Sequence, residues 1–394
     1  MWATWYRAWA RWVERAQDGW SRTWTRTLGS PRFQAWAARF PLFRPIARSR
    51  AQALFDLSAG FVYSQILLAG VRLRLFEALR SGPKRIRPLA QELGLEVQAA
   101  QRLADASVAL RLLERLGPGR YGLGIHGAAL LGQPGAIRMI EHHGMLYRDL
   151  EDPVRLLRDP QADTELRRYW SYAKNVEPEK LGPDDVGPYS DLMASTSAML
   201  AQAVLQSYSF RRHHHLLDVG GGDGVFVSEV ARAQVGLRAM CLDLPSVATR
   251  AAERFRELRL SPRVQAVGGN MFTDPLPRGA DVVTLVRILH DLEDRDALRL
   301  LRRIHDALPR HGRLLVIEPM AETRGAERTG FSYFGFYLMA MGQGRSRTAR
   351  ELREMAKAAG FRRISYRNPP QPTITQLLVC TPGHFLESPS VSVA

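Results

Sequence analysis

Leu216–Gly224 reads LLDVGGGDG, with a lone acid two residues ahead of glycines at 220, 221, 222 and 224. The apolar residues before it predict a buried strand and VFVSEVARA after it predicts a helix, so the glycines occupy a strand-to-helix turn. A turn so bare lets a ligand approach the backbone, and in a doubly wound sheet that place is the switch point at the carboxyl ends of the strands. Alternation continues outward: strand LRAMCLDLP, helix SVATRAAERFREL, strands RVQAVGGNMF and ADVVTLVRILH, helix DALRLLRRIHDAL, strand RLLVIEP, helix RTARELREMAKAAGF and two terminal strands. Strands and helices alternating at this length predict right-handed crossovers and an α/β, Rossmann-like parallel sheet covered on both faces.

Upstream of the sheet, residues 81–124 predict a helix, a turn at Gly94, a second helix, then a short strand and turn, which is a helix-turn-helix with a wing. The second helix, QAAQRLADASVALRLL, offers mainly Ala and Leu, a face for packing and not for reading DNA. ALFDLSAGFVYSQILLAGVRLRLFEAL (53–79) shows continuous helical periodicity and is expected to be buried on most sides. Residues 125–205 read as further helices with loops at GQPG, RDP and EPEKLGPDDVGP, and the tail ESPSVSVA is expected to be disordered. The expected domains are an extension over 1–50, a helical winged-helix domain over 51–205, the sheet domain over 206–385 and a tail over 386–394.

The chain has 394 residues and a formal charge of +16, which suits nucleic acid, an anionic membrane face or an Arg-rich soluble surface and does not choose among them. Cys241 and Cys380 each sit in an apolar, strand-like run, which predicts reduced core thiols and a cytosolic setting. No stretch reaches about 18 uncharged apolar residues, and the start lacks the apolar core of a secretion signal. Trp2, Trp5, Trp9 and Trp12 fall three to four apart with arginines between them, the composition of a helix lying in a membrane interface. Packing of that helix against the protein or its dimer is the competing reading. The expected location is cytoplasmic, with a peripheral place on the inner or photosynthetic membrane as its extension.

Val225 stands where a dinucleotide fingerprint has its third glycine, so pyrophosphate binding is disfavoured. Asp218 before the turn, the glycines, and Asp243 at the end of the next strand fit a nucleoside with a positive group. Asp243 would take the ribose hydroxyls and Asp218 would favour a cationic amino-acid portion.

DVGGGDG, CLDLP, GGNMF and RILHD, in that order and spacing, resemble the class I S-adenosylmethionine-dependent O-methyltransferases, and more narrowly the dimeric small-molecule family with a winged-helix dimerisation domain. The resemblance runs from about residue 51 to 383. It implies a homodimer that does not bind nucleic acid, with cofactor on Asp218, Gly220, Gly222, Asp243 and Leu244, and Asn270, Met271 and Phe272 near the adenine. Arg287 joins that set. The family usually has Asp where Asn270 stands, and an amide oxygen can still accept from the adenine amino group.

The resemblance further implies that His290 in LVRILHD is the base removing the substrate's hydroxyl proton, flanked by Glu318 in LLVIEPM and Glu351 in RTARELRE. A neutral imidazole suits proton removal near pH 7, and a carboxylate beside it fixes the tautomer. His142, Phe336 and Met339 are the implied substrate-pocket residues. His213, His214 and His215 are consecutive in a strand entry, so their side chains cannot converge on one ion, and no metal is expected.

The Trp-rich basic start and the aromatic FSYFGFYLMAMG (331–342) resemble the methyltransferases of bacterial carotenoid synthesis, which act on the tertiary 1-hydroxyl of hydroxyneurosporene and demethylspheroidene. An apolar tunnel and an interfacial helix would suit such a polyene. The alternatives are a phenol, a hydroxyindole or a bacteriochlorophyll precursor on the same scaffold. Outside enzymes stand a winged-helix regulator and a scaffold that binds the cofactor without turnover.

Overall fold

The computed structural model describes residues 17–159, 161–170, 182–370 and 375–382. Trp2, Trp5, Trp9 and Trp12 and the tail ESPSVSVA lie outside them. The chain divides between Ala128 and Ala129 into two compact units. The expected boundary was residue 205; instead the helices Pro134–Asp149 and Pro183–Ser207, grouped above with the winged helix, belong to the second unit. The second of these packs along the helix that follows the glycine turn.

In the first unit, helix Pro31–Arg39 ends before Pro41, and Pro45 opens the long helix Arg44–Arg72 at a position where its missing N–H costs nothing. Helices Ile86–Glu92 and Val97–Ala109 turn at Gly94, whose φ of +65° suits glycine. A small antiparallel sheet, β1 (Lys84–Arg85), β2 (Leu113–Arg115) and β3 (Arg120–Leu123) in the order β1-β3-β2, forms the wing. Ala100, Ala104 and Ser107 turn the second helix inward to the unit's core.

The helix 44–72 departs from expectation in two ways. Leu54, Phe55, Leu57, Phe61 and Val62 are exposed, so its first half is not buried on most sides within one chain. It is also long and apolar enough to cross a membrane by length and composition, because Asp56 breaks the run of uncharged residues without making the helix polar on average.

The second unit is built on seven strands: β4 (His215–Val219), β5 (Arg238–Asp243), β6 (Val264–Gly268), β7 (Val282–Val286), β8 (Arg313–Glu318), β9 (Phe361–Arg367) and β10 (Gln376–Pro382). Their order is β6-β5-β4-β7-β8-β10-β9. The first five are parallel; β10 inserts antiparallel between β8 and β9. The alternating strands form the expected parallel sheet, and the two terminal strands, whose pairing the sequence left open, are joined by a short link that allows only a hairpin. The inner strands β4, β7, β8 and β10 are mostly apolar because both faces are covered, whereas the edge strand β9 is largely exposed and polar. One face packs Leu217, Val283 and Leu314 against Leu300, Ile304 and Leu352, and the other packs Leu216, Val282 and Leu315 against Val227, Val230 and Leu200. The expected loop EPEKLGPDDVGP is helical from Pro183, with Pro at the helix start.

Candidate active site

The order reverses between β4 and β5 on one side and β7 on the other, and a cavity of about 410 Å³ opens at the carboxyl ends of these strands. The four glycines of the turn are bare for different reasons. A Cβ on Gly220 would stand 2.4 Å from Ile288 Cδ1, on Gly221 2.4 Å from Cys241 Sγ, and on Gly224 2.5 Å from a Phe255 ring carbon. Packing therefore excludes side chains at those three. Gly222 has nothing within 4 Å of such a carbon and a φ of +58°, so its open side faces the cavity. That is the place where a ligand can approach the backbone.

Two acids sit beneath and beside this turn. Asp218 is fully buried; its Oδ1 accepts from the Thr284 hydroxyl at 2.5 Å, and its Oδ2 has no partner among the described residues. Burial pushes its carboxyl up to about 7, against the Thr284 bond and aided by nearby Asp243. Asp243 accepts from Gly222 N–H and Leu244 N–H, both at 2.8 Å, and burial raises it to about 6. Gly220, Gly222, Asp243, Leu244, Asn270, Met271 and Phe272 all line the cavity with Asp218. Asn270 Oδ1 accepts from Phe272 N–H at 2.9 Å, so the amide shapes its own loop.

Arg287 also lines the cavity, but its guanidinium turns to the helix 183–207. It donates to Thr196 Oγ1 at 2.7 Å, Ser197 Oγ at 3.0 Å and the Met193 carbonyl at 3.1 Å. Its backbone has a φ of +57°, and burial lowers its affinity for its proton. Three of the guanidinium's five N–H donors thus fix the helix that supplies Met193, Ala194 and Ser197 to the wall, while Arg287 keeps its expected place on the cavity lining. Asp223, in the turn itself, pairs with Arg250 at 2.9 Å, and Arg250 also reaches Asp191 of the same helix.

His290 lies on a 3-10 turn, Leu289–Asp291, just past β7. Its Nδ1 bonds Glu318 Oε2, and its Nε2 stands 3.1 Å from Asp291 Oδ1. Glu318, at the end of β8 and 2% exposed, also accepts from Ile288 N–H at 2.9 Å and Leu289 N–H at 2.7 Å. Burial pulls the imidazole down, but the carboxylates of Asp291 and Glu318 outweigh it and hold the ring above its ordinary value. Asp291 is pushed up to about 7 by burial, less what His290 takes back. Asp291 opposite Nε2 stabilises the imidazolium form of the ring, and the form that can act as a base is the neutral one with its proton on Nδ1.

Glu351 does not flank His290 as expected. It closes a capping box with Thr348 and pairs with Arg345 at 2.8 Å; the pattern Thr-x-x-Glu at a helix start accounts for it. Asp291 takes the second carboxylate position, and sequence reasoning missed it. The signal was the adjacency in LHD: consecutive residues on a strand point apart, but on a tight helical turn they can face one site. Arg347, 2% exposed, was also missed. It clamps the turn by donating to the Leu289 carbonyl and, at 2.7 Å, to the Leu292 carbonyl, while Arg345 N–H bonds the His290 carbonyl at 2.9 Å.

Phe334 packs on His290 with ring centroids 5.6 Å apart, and Tyr333 and Tyr337 continue the aromatic wall. His142 bonds the Tyr337 hydroxyl and His143 the Tyr333 hydroxyl, each at 2.8 Å. Burial, and then His143, lowers His142 to about 4, so it is neutral. Met339 packs against this cluster. None of the three expected pocket residues, His142, Phe336 and Met339, is among those lining the cavity at the strand ends, and Phe336 is 37% exposed. His213 is not a solvated strand entry: it stacks on Tyr208 and sits 3.3 Å from Asp281.

These features define a nucleoside-binding α/β enzyme with a buried imidazole between carboxylates. Residues 147–362 match the O-methyltransferase domain and 55–132 the O-methyltransferase dimerisation domain. The chain belongs to the O-methyltransferase family; it is an S-adenosylmethionine-dependent methyltransferase whose dimerisation domain forms a homodimer. It is 40% identical to demethylspheroidene O-methyltransferase of Cereibacter sphaeroides, over 88% of this chain and 91% of that one. It is 36% identical to the protein of the same name from Rhodobacter capsulatus, over 93% and 91%. Among solved structures, CalO1, a methyltransferase of calicheamicin biosynthesis with S-adenosylhomocysteine bound, superposes with a TM-score of 0.70 at 26% identity, over 85% of this chain and 98% of that one. Human N-acetylserotonin methyltransferase shares the fold with a TM-score of 0.70 at 21% identity, over 85% and 98%.

Proposed function

We propose that this enzyme methylates the tertiary 1-hydroxyl of an acyclic carotenoid of the demethylspheroidene or hydroxyneurosporene type, with His290 as the base. The substrate reading is supported by the 40% identity to a demethylspheroidene O-methyltransferase over nearly the whole of both chains. One observation carries the mechanism: His290 is held by Nδ1 on Glu318 and by Nε2 on Asp291, beside the cavity that contains Asp218 and Asp243.

The residues fit the cofactor. The unpartnered Asp218 oxygen suits a positive group, Asp243 suits ribose hydroxyls, and Gly222 leaves its backbone open to the ligand. Bound there, S-adenosylmethionine supplies an electrophilic methyl on a sulfonium. Glu318 keeps the proton on Nδ1, which makes Nε2 the atom that receives the hydroxyl proton. Asp291 holds that acquired proton in place and stabilises the imidazolium. A tertiary alcohol is far less acidic than a phenol of pKa about 10. His290 therefore takes the proton as the new C–O bond forms, a contribution of about 10² to 10⁴ in rate. Phe334 borders the imidazole with apolar surface, and the Tyr333 and Tyr337 rings packed on Phe334 extend that wall, which keeps water from competing for the methyl.

The test is incubation of the purified enzyme with methyl-labelled S-adenosylmethionine and, separately, a detergent-dispersed 1-hydroxycarotenoid and a set of phenols and hydroxyindoles. Label in the carotenoid supports the reading. Label only in the ring compounds keeps the mechanism and removes the carotenoid.

A further inference from the structure

We infer that residues 17–50 form a docking surface for an anionic lipid bilayer, distinct from the segment that makes the dimer. Trp20 is 71% exposed and Trp24 50%, and the two indoles stack on each other rather than on a core. At the corner between the helices 31–39 and 44–72, Trp36 touches both Phe40 and Phe43, with centroids 5.1 and 5.5 Å away. Leu42 and Ile46 stand exposed beside these three rings. Side chains of this size left open together mark a contact surface.

The charge of the same segment says what covers it. Arg22, Arg26, Arg32, Arg39, Arg44, Arg48 and Arg50 are all exposed, against the single acid Asp18. An interface with a second copy of this surface would set those arginines against each other, whereas a face of anionic headgroups would neutralise them. Tryptophan and arginine together favour the headgroup zone, where an indole buries its ring while keeping its N–H wet. The dimerisation domain match begins at residue 55, so Leu57, Phe61 and Val62 further along the long helix have a protein partner that residues 17–50 do not require. This inference rests on exposure and charge, not on the carotenoid reading, and vesicles without substrate test it separately.

The full-length protein is mixed with vesicles of phosphatidylcholine alone or with about one-third phosphatidylglycerol and separated by flotation. The protein is expected to float with the anionic vesicles and to be released in large part, but not wholly, at about 1 M salt, where the Debye length is about 3 Å. Arg39→Gln, Arg44→Gln and Arg48→Gln together should weaken partition on the order of 100-fold, at about fivefold per arginine. Trp36→Ala, Phe40→Ala and Phe43→Ala together should abolish the part that persists in salt. Both variants should keep the dimer's sedimentation coefficient. Equal binding by wild type and the arginine variant, or binding to neither vesicle, overturns the inference. Conversion of either variant to a monomer overturns it too, because the surface would then belong to the dimer.

Discussion

Glu318→Gln isolates the orientation of His290 from the presence of the imidazole. The carboxylate accepts three bonds, from His290 Nδ1–H, Ile288 N–H and Leu289 N–H. Glutamine has one acceptor and one donor end in the same space. Its oxygen can keep the two backbone N–H groups, which leaves its NH₂ facing Nδ1. The ring then places its proton on Nε2 to avoid a donor–donor clash, and the nitrogen meant to receive the substrate proton is already occupied. Loss of the charge-assisted bond costs about 1.5–3 kcal/mol of local stability. Loss of the base costs about 10² to 10⁴ in kcat, or about 2.7–5.4 kcal/mol of barrier at 1.36 kcal/mol per decade. Cofactor affinity should be unchanged, because Asp218, Gly222 and Asp243 are untouched. The assay is single-turnover methyl transfer with saturating cofactor, alongside calorimetric binding of S-adenosylhomocysteine. A variant that binds cofactor normally and retains kcat within about fivefold of wild type refutes the assignment of proton transfer to an oriented His290.

Four other outcomes follow from the same geometry. Glu351→Ala should lower stability by about 0.3–1.5 kcal/mol through loss of its half of the capping box while leaving kcat near wild type, measured by urea unfolding and turnover side by side. Gly221→Ala should lower the melting temperature sharply, since its Cβ would meet Cys241 and Asp218; Gly222→Ala should stay folded at a strain cost of about 1 kcal/mol but bind cofactor more weakly, read by thermal unfolding and calorimetry. Asp218 and Asp243 are protonated in the ligand-free fold up to about pH 7 and 6, so the folded state binds more protons than the unfolded one above the ordinary carboxylate range. Ligand-free stability should fall as pH rises from about 4 to 7, while affinity for the cationic cofactor rises through pH 6–7; a flat affinity profile from pH 5 to 8 contradicts this. Arg287→Lys should weaken cofactor binding by loosening the helix 183–207, and increased proteolysis near Met193 in the free enzyme would report it.

The sheet and its ligand site were legible because they are written locally. LLDVGGGDG carries its own turn, and each later strand is an apolar run bounded by a helix of regular period. What escaped the sequence depends on how segments fold back. β10 enters between β8 and β9, a pairing that no local pattern encodes. Asp291 stands where Glu351 was expected for a similar reason: a helix-capping pattern was open to view at Thr348–Glu351, but the tight turn that brings Asp291 beside Nε2 is held by Glu318 and Arg347 on the neighbouring amides and carbonyls. Arg287 lies on the cavity lining as expected, but the bonds of its guanidinium to a helix about ninety residues earlier in the chain had no local signal. The helix 44–72 showed its period correctly but not its exposure, because a single sequence does not say which apolar faces meet another molecule.

The central claim, that His290 removes the substrate proton during methyl transfer, is tested most directly by His290→Ala. With cofactor affinity confirmed by calorimetry, single-turnover transfer to a 1-hydroxycarotenoid should fall about 10²- to 10⁴-fold, and the remaining rate should lose its dependence on pH near neutrality. A rate within about tenfold of wild type, with the pH profile preserved, would contradict it.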